Sequence, residues 1–243
     1  MEPGRRAKSR PGARNRNKKV NFSFVLLLIC ALPGLGALHA DDTPAKDNAS
    51  RVATLAVADL RDYDAQPPEV QRLIARALEL TRENLTYQYG SSDPKNGGMD
   101  CSGTVYYLLN DAGVKDAPRD SSEMYKWVWT QGRFCSVVSP NPDTFELVPL
   151  KPGDLLFWTG TYDVDRDPPV THVMIYLGIN RLTGRRVMMG ASEGRRFNDV
   201  SRSGVSVFDF EMPRHAKGDT GTSRFIGYGA IPGFPAGAVS PGR

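Results

Sequence analysis

The chain of 243 residues is 40% hydrophobic and 24% charged, a composition that suits one globular domain with extensions. Its net charge of +4 depends on the first 20 residues, which hold eight of the 31 basic side chains. Without residues 1–40, the chain carries 23 basic and 26 acidic side chains, a net charge of −3. The basic charge therefore belongs to the N-terminal leader, and we expect no nucleic-acid partner.

Residues 1–40 have the pattern of an export signal. An apolar run from Phe22 to Leu32 follows the basic segment and ends at Pro33. Leu38-His39-Ala40 resembles a small-residue cleavage site, so the mature chain would begin near Asp41. Because the apolar run is shorter than the ~20 residues of a membrane span, we predict a secreted or periplasmic protein. An uncleaved N-terminal anchor is the alternative, and we expect membrane association only in that case.

The rest of the chain has helical patterns first and strand patterns later. Apolar residues at helical spacing predict helices that begin near Pro67, Cys101 and Ser121. β-Branched and aromatic runs predict five strands, over Leu155–Trp158, His172–Leu177, Arg186–Ala191, Val205–Phe210 and Phe225–Ala230. We therefore predict an α+β fold with helices packed on one antiparallel sheet. The domain would cover residues 67–232, between a flexible lead-in at 41–66 and a disordered tail at 233–243.

Asp100-Cys101-Ser102-Gly103 places a cysteine at the start of the second predicted helix. Asp100 is a good N-cap, and the unpaired N–H groups of the first turn stabilise a thiolate there. We therefore expect an activated thiol at Cys101. The like charge of Asp100 opposes this effect unless its carboxylate is turned toward the backbone or a ligand. The alternative is a cysteine that only fills the core.

His172 begins a predicted strand, in which it shares one face with Met174 and Tyr176. An imidazole in this position can line a groove and exchange a proton with the Cys101 thiol. His215, in a polar loop, is the weaker candidate for this base. The alternative for His172 is a histidine satisfied at the edge of a sheet.

The remaining cysteines, tryptophans and arginines are given structural interpretations. Cys30 leaves with the leader, and we predict that Cys135 is a buried, unpaired residue, because a disulfide with Cys101 would consume the proposed nucleophile. A regulatory disulfide is the alternative. The tryptophans are interpreted as core residues; they are Trp127, Trp129 and Trp158. The arginine pairs at 185–186 and 195–196 are interpreted as solvated turns, with contact to anionic polymers as the alternative.

The sequence predicts no metal ion and no cofactor. Asp163, Asp165 and Asp167 alternate as calcium ligands do, but Pro168 stands where a calcium loop needs glycine, and no acid closes the loop. The histidines and cysteines are too scattered for a zinc site. We therefore interpret residues 159–171 as a solvated acidic loop, which would sit at the mouth of a groove in front of His172.

Five motifs together resemble the NlpC-type cell-wall cysteine peptidases, a papain-like superfamily of peptidoglycan hydrolases. The motifs are Tyr87–Gly90, Gly97–Gly103, Ala117–Ser122, Lys151–Trp158 and His172–Gly178. The resemblance covers roughly residues 68–232. It implies a papain-like fold with the nucleophile at a helix N-terminus. It also implies a monomeric, exported enzyme that hydrolyses an amide bond in peptidoglycan stem peptides, next to D-glutamate.

The resemblance implies a role for each residue at the centre of the motifs. Cys101 would be the nucleophile that forms an acyl-enzyme, and His172 would be the base. The hydroxyl of Tyr87 would help the Cys101 backbone N–H to bind the oxyanion. Asp100 and Ser102 would grip the free amine end of the stem peptide.

Two further matched residues have structural roles, and one position departs from the family. Arg119 would hold the loop after the nucleophile helix, with a substrate carboxylate as its alternative partner, and Asp154 would make the turn into the next strand. The family usually orients the first histidine with a third polar residue, but here Gly190 occupies that position. Ser192 or Glu193 after a register shift, a backbone carbonyl, or an impaired enzyme are the open explanations.

Two other functions stay open at this point. A catalytically impaired wall-binding protein is one, with Gly190 as its support. A lipid acyltransferase or amidase of the same superfamily is the other. It is disfavoured because those relatives place histidine before cysteine, whereas Cys101 precedes His172 here.

Overall fold

The computed structural model of the chain describes residues 51–212 and 223–238. The predicted export leader, residues 41–50, His215 and residues 239–243 lie outside this part. The α-helices of the described part are α1 (Pro68–Leu80), α2 (Cys101–Asp111) and α3 (Ser121–Thr130). All three lie where helical spacing predicts them.

The strands of the described part form a small pair and a larger sheet. The small parallel pair joins β1 (Thr86–Tyr87) and β2 (Gly98–Met99). The sheet contains β3 (Phe134–Ser136), β4 (Leu155–Thr159), β5 (Val170–Ile179), β6 (Arg186–Phe197), β7 (Val200–Asp209) and β8 (Arg224–Gly229). Its order is β3-β8-β4-β5-β6-β7, and neighbouring strands are antiparallel. The prediction of an α+β fold with helices on an antiparallel sheet is confirmed.

Strand β5 separates two apolar clusters, as its alternating pattern predicts. Val173 and Ile175 belong to the larger cluster, which contains the buried faces of all three helices. Met174 and Tyr176 belong to the smaller cluster on the opposite face, together with Trp158. The N-termini of α2 and α3 lie beside the start of this strand, where Cys101 contacts the carbonyl oxygen of Thr171 and the Ser121 hydroxyl donates to that of Val170.

The folded unit extends beyond the predicted bounds of 67 and 232. In the predicted lead-in, Leu60 is buried and the Ala53 N–H donates to Ser206 Oγ at 2.8 Å. In the predicted tail, the Ala238 N–H donates to Gln66 Oε1 at 2.7 Å. Residues 51–66 and 233–238 therefore pack on the domain, and Leu55, Leu60 and Phe234 from these segments belong to its larger apolar cluster. Among the residues that the structure describes, no helix is long and apolar enough to cross a bilayer.

Candidate active site

The N-terminus of α2 meets the start of β5 at Cys101. The Cys101 thiol points at the carbonyl oxygen of Thr171, 3.9 Å away, and the backbone N–H of Val173 hydrogen-bonds to the sulfur. Thr171 and Val173 are the neighbours of His172 in the chain. The structure thus brings the predicted nucleophile and the backbone around the predicted base together, although they lie about 70 residues apart in sequence.

Burial decides the protonation state of the Cys101 thiol. The residue is 6% exposed, and burial raises the pKa of the thiol to about 11. The N–H groups of Val173, Ser102 and Cys101 itself oppose this effect, while the charge of Asp100 adds to it. The expectation of an activated thiol is therefore wrong for the free protein, because desolvation outweighs the helix N-terminus.

The carboxylate of Asp100 is fully engaged by the protein. Oδ1 accepts from the Gly103 N–H at 2.6 Å and from the Ser102 hydroxyl at 3.3 Å. Oδ2 accepts from the Gly90 N–H at 2.8 Å. Arg119 binds both oxygens, at 3.1 and 2.8 Å, and also donates to Ser102 Oγ at 2.9 Å. The carboxylate is thus turned toward the backbone, and Arg119 holds the residues on either side of Cys101.

His172 is buried at the start of β5, with 6% of its surface exposed. Its ring packs edge-on against Trp158, with centroids 5.6 Å apart. Burial, and then the charge of Arg195, hold the pKa of His172 well below its usual value. Within the described residues, Nε2 is buried and has no hydrogen-bond partner. The imidazole is therefore neutral and is oriented by packing against an aromatic ring.

The position expected to orient His172 holds no polar side chain. Gly190 lies beside Met174, and neither Ser192 nor Glu193 hydrogen-bonds to the histidine within the described residues. Ser192 is buried and Glu193 is exposed. The third position of the site is therefore unfilled in the part of the chain that the structure describes.

A cleft of about 280 Å³ opens in front of the thiol. It is lined by Tyr87, Tyr89, Gly90, Asp100, Cys101, Ser102, Arg119, Asp120, Ser121 and Tyr162. Burial raises the pKa of Tyr87 and the charge of Asp100 adds to this effect, so the hydroxyl stays protonated and can donate. Tyr162 comes from the acidic loop, and its ring meets the exposed Tyr89 edge-on at 6.3 Å. The loop thus forms part of the cleft wall, at the mouth of the predicted groove.

Hydrogen bonds fix the acidic loop to the start of α3. Arg166 pairs with Asp120 at 2.9 Å and also donates to the carbonyl oxygen of Val170. The Ser122 hydroxyl donates to the carbonyl oxygen of Pro168 at 2.9 Å. No cluster of metal ligands occurs among the described residues, the three aspartates of this loop included. The loop therefore belongs to the cleft as a polar wall anchored by Arg166.

Three interpretations made from the sequence are corrected by the structure. Trp129 is 60% exposed, whereas Trp158 is buried as predicted. Cys135 is free as predicted, but it is exposed, because it lies on the short edge strand β3. Arg195 is not a solvated turn residue: its guanidinium lies 4.6 Å from the centre of the Trp158 ring. A bulge between Glu193 and Arg195 places it there, which strand alternation alone does not predict.

This combination of a helix-borne cysteine, a strand-borne histidine and one antiparallel sheet is that of a papain-like protein. The model of the NlpC/P60 family matches residues 84–211, which contain Tyr87, Asp100, Cys101, Ser102 and His172. The chain therefore belongs to the NlpC/P60 family, and the resemblance noted in the sequence is confirmed.

One curated protein is similar in sequence to part of this chain. The chain is 31% identical over 121 residues to "Murein DD-endopeptidase MepH" of Escherichia coli (strain K12). The match covers 47% of this chain and 37% of the relative. The two proteins are thus similar over a domain rather than over the full length of the relative.

Proposed function

We propose that this chain is an exported cysteine peptidase that hydrolyses a peptide bond in peptidoglycan stem peptides. The observation that carries the proposal is the position of the Cys101 sulfur, at the start of α2 and against the backbone on both sides of His172. Membership of the NlpC/P60 family and similarity to a murein endopeptidase support the substrate class. The leader sequence supports export, since the substrate lies outside the cytoplasm.

The proposed reaction starts from a neutral pair, because burial raises the pKa of Cys101 and lowers that of His172. His172 takes the thiol proton as the sulfur attacks the scissile carbonyl carbon, and the imidazolium then protonates the leaving amine. Water attacks the thioester carbon and gives its proton to His172, which returns it to the departing sulfur. The Tyr87 hydroxyl and the backbone N–H of Cys101 are the proposed oxyanion donors.

The bond that is cut is the finer part of the proposal. Cleavage next to D-glutamate requires Asp100 and Ser102 to grip a free amine, but Arg119 and backbone N–H groups already engage the Asp100 carboxylate. A substrate ammonium would have to displace Arg119 from this site. The relative from Escherichia coli is named a DD-endopeptidase, which makes a bond between two D-centres the second candidate.

Mass spectrometry of peptidoglycan digested by the purified protein tests the proposal. We expect new peptide fragments with the wild-type protein and none with Cys101→Ala, and the fragment masses distinguish the two candidate bonds. Cys135→Ala is the matched control, because Cys135 is free and exposed, and it should digest like the wild type. Equal digestion by Cys101→Ala, or no digestion by folded wild-type protein, would refute the proposed function.

A further inference from the structure

A second cavity, of about 630 Å³, lies beside the Trp158–His172 contact and shares no lining residue with the cleft in front of Cys101. Arg195, Phe210 and Glu211 contribute to its wall. Phe210 also packs edge-on against Trp158, with centroids 6.4 Å apart. Two residues of the cavity wall, Arg195 and Phe210, therefore contact the same indole ring that packs against His172.

Arg195 links this cavity to the reacting groups. Its guanidinium stacks over Trp158 at 4.6 Å, and the Trp158 ring meets His172 at 5.6 Å. After burial, its charge is the second cause that lowers the pKa of His172. Burial lowers the pKa of Arg195 to about 10, so the guanidinium remains a cation at neutral pH.

The guanidinium of Arg195 has no ion pair and no hydrogen bond within the described residues, although it is half-buried. Glu211 acts on its charge but lies beyond ion-pair distance. By contrast, Arg119 and Arg166 each bind an aspartate, at 2.8 and 2.9 Å. A half-buried guanidinium that faces a cavity with its donors unused is a ready receptor for a carboxylate, which it can bind with two parallel hydrogen bonds.

We propose that Arg195 is a specificity residue whose guanidinium binds a free carboxylate on the leaving-group half of the peptide substrate. The carboxylate is assigned to the leaving-group side of the scissile bond because His172 must face the leaving amine to protonate it. Arg195 lies next to His172, on the side where Trp158 packs. The acyl half of the substrate then occupies the cleft that Tyr87 and Tyr162 line. This inference rests on the proposed peptidase function.

Two synthetic stem peptides that differ in one group test the pairing. One carries a free carboxylate on the residue after the scissile bond, and the other carries a carboxamide there. With Arg195→Gln, we expect kcat/KM for the carboxylate peptide to fall about 10- to 100-fold, mainly through KM, while the carboxamide peptide changes less than about threefold. An equal loss on both peptides would overturn the proposal, because it would reflect the position of His172 rather than recognition.

A second readout does not depend on peptidase activity. Iodoacetate carries a carboxylate and iodoacetamide does not, and mass spectrometry of the Cys101 peptide follows both reactions in the full chain. We expect Arg195→Gln to lower the ratio of the iodoacetate rate to the iodoacetamide rate at Cys101 about 3- to 10-fold. Arg195→Lys, which keeps the charge, should lower the ratio less. Arg82→Gln, which removes an exposed charge elsewhere, should leave it unchanged.

The two readouts separate failure of this inference from failure of the proposed function. If the wild-type protein cleaves neither peptide but shows the Arg195-dependent ratio, the anion site stands and the peptidase function fails. If the ratio is the same in Arg195→Gln and in the wild type, Arg195 does not attract a carboxylate and the inference is wrong. Arg195→Met keeps the apolar stem over Trp158, and it replaces Arg195→Gln if that variant does not fold.

Discussion

Gly190 and Met174 lie side by side on β6 and β5, and a Cβ atom at position 190 would come 2.9 Å from Met174 Cγ. Extending the β5–β6 register by one residue from the Ile175–Met189 pair makes the two residues cross-strand partners. Met174 therefore occupies the space that a side chain at position 190 needs. His172 shares this face of β5, and packing against Trp158 orients it instead.

This packing predicts that a histidine cannot be restored at position 190 by one substitution. Gly190→His should lower the free energy of unfolding by about 1–3 kcal/mol, since it overpacks a closed core. It should not raise kcat/KM for peptide cleavage. Met174→Gly combined with Gly190→His opens the space and places an imidazole diagonally across from His172, within side-chain reach. We expect about tenfold higher kcat/KM for the double variant than for Met174→Gly alone.

Urea unfolding and peptide cleavage measure both parts of this prediction. Met174→Gly is the control for the loss of the methionine side chain. A Gly190→His protein as stable and as active as the wild type, or more active, would mean that Met174 does not block the position.

The raised pKa of Cys101 predicts slow alkylation of the free enzyme at neutral pH. Because the thiolate is the nucleophile, the rate of iodoacetamide reaction at Cys101 should rise about tenfold per pH unit and level off only near pH 11. The exposed Cys135 should react faster than Cys101 near neutral pH. Peptide mass spectrometry resolves the two thiols in one sample. A plateau at Cys101 below pH 8 would contradict the buried, neutral thiol.

The sequence was sufficient for the fold and for the residues that periodicity and capping control. Helix α2 begins at Cys101 because Asp100 caps it, and β5 points His172 and Met174 to one face because strands alternate. These are local rules, and they place the cysteine and the histidine on the correct elements. They do not state how deeply the site is buried.

Local sequence rules could not predict the burial of the site, the bulge in β6 or the order of the strands. The thiol of Cys101 is neutral because α2 packs its first turn against β5, a contact between residues 70 positions apart. Arg195 reaches Trp158 because of a bulge in β6, whereas an arginine pair after a glycine resembles a solvated turn in the sequence. Cys135 is exposed because its strand forms an edge of the sheet, which depends on strand order.

The Arg119–Asp100 contact predicts a structural rather than a substrate-binding role for Arg119. Arg119→Met leaves the buried carboxylate of Asp100 without its cation, and should lower the free energy of unfolding by about 2–3 kcal/mol, with allowance for the partly exposed arginine. Arg119→Lys keeps the charge but loses the two-pronged contact, and should lose about half as much. Urea unfolding measures both. Unchanged stability with a raised KM would instead assign Arg119 to a substrate carboxylate.

The carboxyl group of Asp154 predicts how stability depends on pH. It is 4% exposed, and its Oδ2 accepts from the Lys151 N–H at 2.8 Å, which forms the turn into β4. Burial raises the pKa of Asp154 from 3.8 to about 7, against the opposing hydrogen bond and charge of Lys151. The folded protein therefore binds this proton more tightly than the unfolded chain. The stability that this raised pKa gives the folded protein is fully present below about pH 4 and is lost as the pH rises through about 7.

Asp154→Asn removes the titrating group and keeps an oxygen that accepts from Lys151. Three pKa units correspond to about 4 kcal/mol, so the wild-type free energy of unfolding should fall relative to that of Asp154→Asn by up to this amount between pH 4 and 8. Urea unfolding of both proteins across this range measures the difference. Lys151→Gln is the control, because it removes a charge that favours the ionised carboxylate and should deepen the loss. Parallel profiles for the wild type and Asp154→Asn would mean that Asp154 is ionised in the folded protein throughout.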